Sequence, residues 1–207
     1  MKLILVRHGE TQWNKEKRIV GHTEIELNEV GRSQVMQLAR VLSGETVSAI
    51  YSSPLRRARQ TAEEIARVHH LDIMVEDALK EFDAGDMNGM TILEVSERYG
   101  DFFDRWMEGV PGLRMPGGES LSELKHRAWP AVEQIIKDHQ DDDVIIIVSH
   151  TITILTIVNS ALGMSLENFR RLRLEVGSIS VLEFGKRGVS LLRFNDTCHW
   201  KRAEGSS

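Results

Sequence analysis

Cysteine is almost missing from this chain. With Cys198 alone there can be no internal disulfide, no cysteine-rich zinc site and no C-x-x-C redox pair. No long basic run occurs either, and the formal net charge is −5 with a pI near 5.9. Nucleic acid and anionic membrane surfaces are therefore poor partners for it. No apolar run reaches membrane-spanning length and the first residues lack the apolar centre of a signal peptide, so a cytoplasmic protein is expected. Neither H-E-x-x-H nor H-x-H spacing is present, and no metal or cofactor is expected. Repeats and low-complexity tracts are absent, with only Glu204 to Ser207 reading as a disordered tail. What remains is 207 residues, enough for one sizeable α/β core with at most an inserted cap.

The chemistry starts in the first stretch, Leu3 to Asn14, LILVRHGETQWN. Its apolar run with branched residues reads as a buried strand of a parallel sheet, and Gly9 marks the turn off its carboxyl end. Ligands of open α/β sheets sit at that edge. A cation and an imidazole there, Arg7 and His8, suit an anionic substrate and a nitrogen nucleophile. An arginine and histidine side by side in a turn are also an ordinary surface feature, so the downstream chain has to decide.

Asn28 offers an N-cap for a helix through roughly Ser43, with Val35, Leu38, Ala39 and Leu42 as its buried stripe. Ser48 to Ser52 reads as a second strand, and Ser53-Pro54 as the cap and first residue of a helix to about Val68. Arg56 and Arg57 then fall in its first turn, where unpaired N–H groups already favour anions. One of the two is expected to be merely solvated. Asp72 to Val75 reads as a third strand, leading to Leu79-Lys80-Glu81-Phe82-Asp83.

Residues 83–119 read as a lid inserted over the sheet edge, with helical patterns over Thr91 to Tyr99 and Asp101 to Met107. The segment holds eight acids against three arginines, which disfavours a second anion-gripping role for it. Methionines 87, 90, 107 and 115 are expected to pack its underside, with Trp13 and Trp106 as ordinary packing. After a helix capped by Ser120 or Ser122, Val144 to Val148 is the strongest strand signal, and it ends in Ser149-His150-Thr151. His150 thus occupies the same position after its strand as His8, and neighbouring strands would bring the imidazoles into one crevice. Ser178 to Phe184 and Val189 to Phe194 read as an antiparallel hairpin. His69, His70, His126 and His139 have no partner spacing and read as solvated, whereas loop residues His22 and His199 could reach a pocket rim.

Taken together, LVRHGET-x-W-N, SSPL-R-R-A-x-x-T-A, L-x-E-F-D-x-G-D-x-x-G, GGES and IVSH-T resemble the histidine phosphatase superfamily, which includes the cofactor-dependent phosphoglycerate mutases. The resemblance runs in order from Lys2 to Thr151, with a tail reaching His199. It implies a three-layer α/β/α fold with a mostly parallel sheet, one domain over 1–207, and a cap over about 83–119. It further implies that His8 is the phosphorylated nucleophile and Glu81 the proton donor, with His150 completing the catalytic set. Arg7, Arg57 and His150 would hold phosphoryl oxygens, with Asn14, Gly21, His22, Thr151 and His199 as further substrate contacts.

A metal-independent phosphomonoester hydrolase follows, acting on a small molecule of α-ribazole-5′-phosphate or phosphoserine type or with broad specificity. The N-x-T-x-H run at Asn195, Thr197 and His199 resembles that of metal-independent phosphoserine phosphatases. A phosphoglycerate mutase is the alternative. Against it stand the acidic lid, the absence of the mutases' longer basic insertion, and Val20 where they carry threonine. A catalytically idle, dimeric regulatory protein is a third reading, and a homodimer paired through an edge strand near the hairpin stays open.

Overall fold

The computed structural model describes residues 1–201; the Glu204 to Ser207 tail lies outside the described residues. Six strands form one sheet in the order β3-β2-β4-β1-β5-β6. They are β1 (Lys2–Arg7), β2 (Ala49–Ser52), β3 (Ile73–Val75), β4 (Val144–Ser149), β5 (Ile179–Gly185) and β6 (Gly188–Asp196). The pairings β3-β2, β2-β4 and β4-β1 are parallel, and the hairpin β5-β6 adds to β1 antiparallel. Helices α1 (Gln12–Lys15), α2 (Glu29–Leu42), α3 (Arg56–His69), α4 (Ile92–Met107), α5 (Leu121–Lys137), α6 (Thr151–Ala161) and α7 (Cys198–Lys201) complete the chain.

Side chains of a strand alternate between faces, and both faces of this sheet are covered. Leu3, Leu5, Ile145 and Ile147 join one apolar cluster with residues of α5, α6 and the 83–119 segment. Ile4, Val6, Ile146 and Val148 join the other, with α2 and α3. That two-sided burial is why β1 and β4 are continuous apolar runs rather than alternating ones. Each of these side chains contributes about 1.5–3 kcal/mol by leaving water, so the central strands are the rigid base on which the loops at their carboxyl ends are set.

Helix α3 begins at Arg56 rather than Pro54, because the chain stays extended through Leu55 (φ −62°, ψ 134°). Ser53 does not cap it; its hydroxyl is engaged with His150 Nε2 at 2.8 Å. The two helical patterns of the 83–119 segment form the single helix α4, kinked at Tyr99 (φ −125°, ψ 15°). The 83–119 segment leaves and returns at one point, where Glu119 N donates to Asp83 O at 3.0 Å and Asp83 N to Glu119 Oε1 at 2.8 Å. Met87 and Met115 are buried and Met90 packs against them, but Met107 is exposed, because it stands on the outer face at the end of α4.

The loop after β1 lies directly on α2. A Cβ on Gly31 would come within 2.1 Å of Glu10 O, and one on Gly9 within 2.7 Å of Gly31 O. Glycine at both positions lets backbone pass against backbone two residues from His8. In an open helix, alanine in place of glycine stabilises by about 1 kcal/mol; here the contact is with main chain that cannot step aside. We expect Gly31→Ala to lower the unfolding free energy by about 1–3 kcal/mol in a urea titration. An unchanged or raised stability would show that the loop is not held as described.

Candidate active site

Parallel pairing of β1 with β4 sets Val6 opposite Val148 and Arg7 opposite Ser149. The next residue on each strand is a histidine, and the His8 and His150 rings lie 5.1 Å apart, tilted by 59°. The His8 ring is almost fully buried, and its Nδ1 meets the Gly9 carbonyl at 2.7 Å. A carbonyl can only accept, so Nδ1 carries the proton and Nε2 the lone pair. Arg57 Nε donates to that Nε2 at 3.2 Å. Burial, then the charges of Arg57 and Arg7, hold His8 well below the ordinary imidazole value. A neutral ring with a directed lone pair results.

Arg57 reaches this point from the first turn of α3 with no exposed surface. Its other nitrogens donate to Thr23 O at 2.9 Å and Gly21 O at 2.8 Å. Carbonyls fix its geometry without neutralising its charge. Burial lowers its pKa to about 10, an effect that Glu81 and Glu24 oppose. Arg56, by contrast, is exposed and paired with Glu26 at 2.7 Å, so it is the solvated member of the pair. Arg7 donates to Leu174 O at 2.5 Å, while its Nε has no partner among the described residues.

His150 occupies the cap position of α6 but does not cap it with its side chain. Its Nε2 faces Ser53 Oγ, and its Nδ1 is buried without a partner among the described residues. Burial and then Arg57 push its pKa well down. The cap of α6 comes from a distant residue. Glu81 Oε1 accepts from Ile152 N at 3.1 Å, Thr153 N at 3.2 Å, Thr153 Oγ1 at 3.3 Å and its neighbour Phe82 N at 2.9 Å. Helix amino-terminal N–H groups favour a carboxylate in this place. Oε2 keeps only a 3.4 Å contact with Ile152 N, so it is the oxygen freer to carry a proton.

A cleft of about 510 Å³ opens over this group, lined by Arg7, His8, Arg57 and Glu81. Asn14, Gly21 and Thr151 also line it. The Asn14 side chain is oriented by Thr11, whose N and Oγ1 meet Asn14 Oδ1 at 3.0 and 2.9 Å. His150 is fully buried beside His8 and is not among the lining residues, and neither His22 nor His199 lines the cleft. His22 Nε2 meets the Glu81 carbonyl at 2.7 Å, so it touches the backbone of Glu81. His199 is hydrogen-bonded to the Gly177 backbone, and Gly177 N in turn donates to His8 O at 2.9 Å.

Several residues of the site carried no sequence signal that was read. Arg127 on α5 donates to Ala78 O, Lys80 O and Glu81 O at 2.7, 3.0 and 2.8 Å and pairs with Glu119 at 2.7 Å. It clamps the main chain that presents Glu81. A lone arginine inside a helix has no spacing to announce that. Arg170 and Arg173 enter the cleft from the segment after α6; the Arg170-Arg171-Leu172-Arg173 cluster was the signal that could have found them.

This geometry can be set beside known proteins. Residues 3–197 match the profile of the histidine phosphatase superfamily, branch 1. The chain is 38% identical over 199 residues to phosphoserine phosphatase 1 of Hydrogenobacter thermophilus, covering 96% of this chain and 94% of that protein. It is 35% identical over 184 residues to a probable phosphoglycerate mutase of Salmonella choleraesuis, covering 89% and 85% of the two chains. Among solved structures, a phosphoserine phosphatase of Entamoeba histolytica in complex with phosphoserine superposes with a TM-score of 0.85 at 31% identity, covering 96% and 98%. With its profile match spanning nearly the whole length and its two histidines meeting at the centre of the sheet, the chain belongs to the histidine phosphatase superfamily.

Proposed function

We propose that this phosphatase hydrolyses small phosphomonoesters in two steps through a phosphohistidine at His8. In the first, His8 Nε2 attacks phosphorus, the ester P–O bond breaks, and the departing alkoxide takes a proton from Glu81. In the second, water attacks the phosphohistidine while the Glu81 carboxylate receives its proton. The P–N bond then breaks and phosphate leaves with His8 neutral again. Arg7 and Arg57 oppose the charge on the transferring oxygens, which is most of what phosphoryl transfer asks of a protein. One observation supports the reading above the others: the His8 proton is committed to Gly9 O and the lone pair at Nε2 stands beside a buried guanidinium.

The substrate class rests on relatives whose names refer to phosphoserine, in the Hydrogenobacter and Entamoeba proteins. A phosphoserine-type ester is accordingly the first to try, with α-ribazole-5′-phosphate and unrelated esters beside it. The mutase reading draws on the Salmonella relative; it requires isomerisation of 3-phosphoglycerate without net release of phosphate. Acid-labile, base-stable phosphate should be trapped on wild-type protein from a labelled ester and be absent from His8→Ala. Label retained in His8→Ala would move the nucleophile elsewhere.

Glu81→Gln keeps an acceptor oxygen for the α6 N–H groups but removes the proton donor. Its kcat on alkyl phosphates should fall by about 10²–10⁴-fold, with a smaller loss on p-nitrophenyl phosphate, whose leaving group needs no proton. Equal losses on both would remove Glu81 from the protonation step.

The buried imidazoles also predict how stability responds to acid. His8 and His150 are held well below 6.5 in the fold, so below about 6.5 the unfolded chain binds protons that the native state does not. Stability is therefore present above that pH and lost as pH falls, with each histidine contributing a slope of roughly 1.4 kcal/mol per unit. Burial lowers His69 and His199 in the same direction, so the informative quantity is a difference. Between pH 7 and 5.5, unfolding free energy should fall less steeply in His150→Gln than in wild type. Parallel slopes would mean that His150 is charged in the native protein.

A further inference from the structure

The cleft is much larger than a phosphoryl group needs, and its far wall is not of one kind. Phe82, Trp106, Met115, Leu155 and Phe169 make it apolar, yet Arg170 and Arg173 stand in the same lining. Arg170 lies flat on Trp106, with its guanidinium carbon 4.2 Å from the indole centroid and 5.1 Å from that of Phe169. Stacking on aromatic faces suits a guanidinium and holds its plane fixed. It does not provide a counter-charge or a hydrogen-bond acceptor.

Neither is supplied from elsewhere among the described residues. Arg170 Nε is buried without a partner, and so is Trp106 Nε1 in the same wall. Donors left this way cost about 1–3 kcal/mol each. Glu175, the carboxylate in this part of the lining, acts on Arg7, whereas burial alone acts on Arg170 and brings its pKa to about 10. Three other cations of the cleft already hold protein acceptors: Arg57 two carbonyls and His8, Arg7 the Leu174 O, and Arg18 Glu16 and Gly89 O; Arg173, beside Arg170 in the lining, has none among the described residues. Arg170 remains a half-buried, preorganised guanidinium against an apolar wall, with no acceptor or counter-charge among the described residues.

Resting on the phosphatase reading, we propose that Arg170, held on Trp106 and assisted by Arg173, forms a second anion subsite that binds a carboxylate on the leaving group of the phosphomonoester. A planar guanidinium matches a carboxylate through two parallel N–H···O bonds. The apolar surroundings strengthen that pair and exclude competing water. Arg170 is thus a specificity residue: it selects esters that carry a second negative group, while the phosphoryl end is handled by Arg7, His8 and Arg57. The acidic lid is no obstacle, because the cation comes from the 3-10 segment Leu166–Arg171 and the lid contributes the indole it rests on.

Two esters that differ only at the position in question test this: 3-phosphoglycerate and glycerol 3-phosphate, which exchange a carboxylate for a hydroxymethyl group. Wild type should favour 3-phosphoglycerate. Arg170→Gln should lose on the order of 10–100-fold in kcat/KM on 3-phosphoglycerate, chiefly through KM, and much less on glycerol 3-phosphate. Arg170→Lys should recover part of the loss. Equal losses on both esters would reduce Arg170 to a packing residue, and no loss on either, or a wild-type preference for glycerol 3-phosphate, would overturn the subsite while leaving the phosphatase in place. If wild type released phosphate from neither ester nor from p-nitrophenyl phosphate, the phosphatase reading would fall first and the subsite with it.

Discussion

Everything in the site hangs from the parallel pairing of β1 with β4. The two strands lie at the centre of the sheet and are buried on both faces, so their register is held by apolar contacts on each side of every peptide. A slip of one residue would turn Leu3, Leu5, Ile145 and Ile147 toward the wrong layer. The same register sets His8 beside His150 and opens both strand ends into one crevice. Stability and chemistry are thus demands on the same hydrogen-bonded ladder, and the apolar strand residues serve the site without touching it.

On that base, the protein solves an electrostatic problem. Two guanidinium groups and two imidazoles are buried close together, and like charges in such a place would be strongly unfavourable. The imidazoles therefore stay neutral, and the arginines donate to main-chain carbonyls instead of to carboxylates. Carbonyls fix a guanidinium in direction but leave its charge available to an incoming phosphoryl group. A carboxylate in their place would pair with the arginine and compete with the substrate. The carboxylate that is present, Glu81, is turned instead into the amino-terminal N–H groups of α6, and Arg127 holds its main chain from behind.

The same reasoning separates the two ends of the cleft. Near His8, Arg57 has its hydrogen bonds arranged before any ligand arrives, as transition-state stabilisation requires. At Arg170 the plane is set by an indole, while acceptors are missing among the described residues. On the reading proposed above, one end serves the reaction and the other chooses what reacts. Trp106, which the lid pattern presents as ordinary packing, is both buried in the apolar cluster and part of the cleft wall.

Much of this architecture was legible in the order of the residues. Short apolar strands ending in Arg7-His8-Gly9 and Ser149-His150-Thr151 declare parallel strands with chemistry at their carboxyl ends, because burial on two faces and a turn leave a plain local signature. Arg57 could be separated from Arg56 only through resemblance to a family, since both occupy the first turn of one helix; the fold decides it, by burying one and pairing the other with Glu26. Helix boundaries moved where a tertiary partner claimed a residue, as His150 claims Ser53. His22 and His199 were placed near the pocket by loop position, yet hydrogen bonds to the Glu81 and Gly177 backbones hold them outside the lining. Arg127 and Arg170 lie 46 and 89 residues downstream of Glu81 in the chain, and no local pattern encodes such a meeting. By itself the sequence determined the strands and the order of the histidine-bearing turns at their carboxyl ends, because these follow from local burial and spacing. Only the tertiary structure decided which carbonyls hold the arginines, what caps α6 and which cations of the cleft lack a partner among the described residues, because each of those depends on groups brought together from distant parts of the chain.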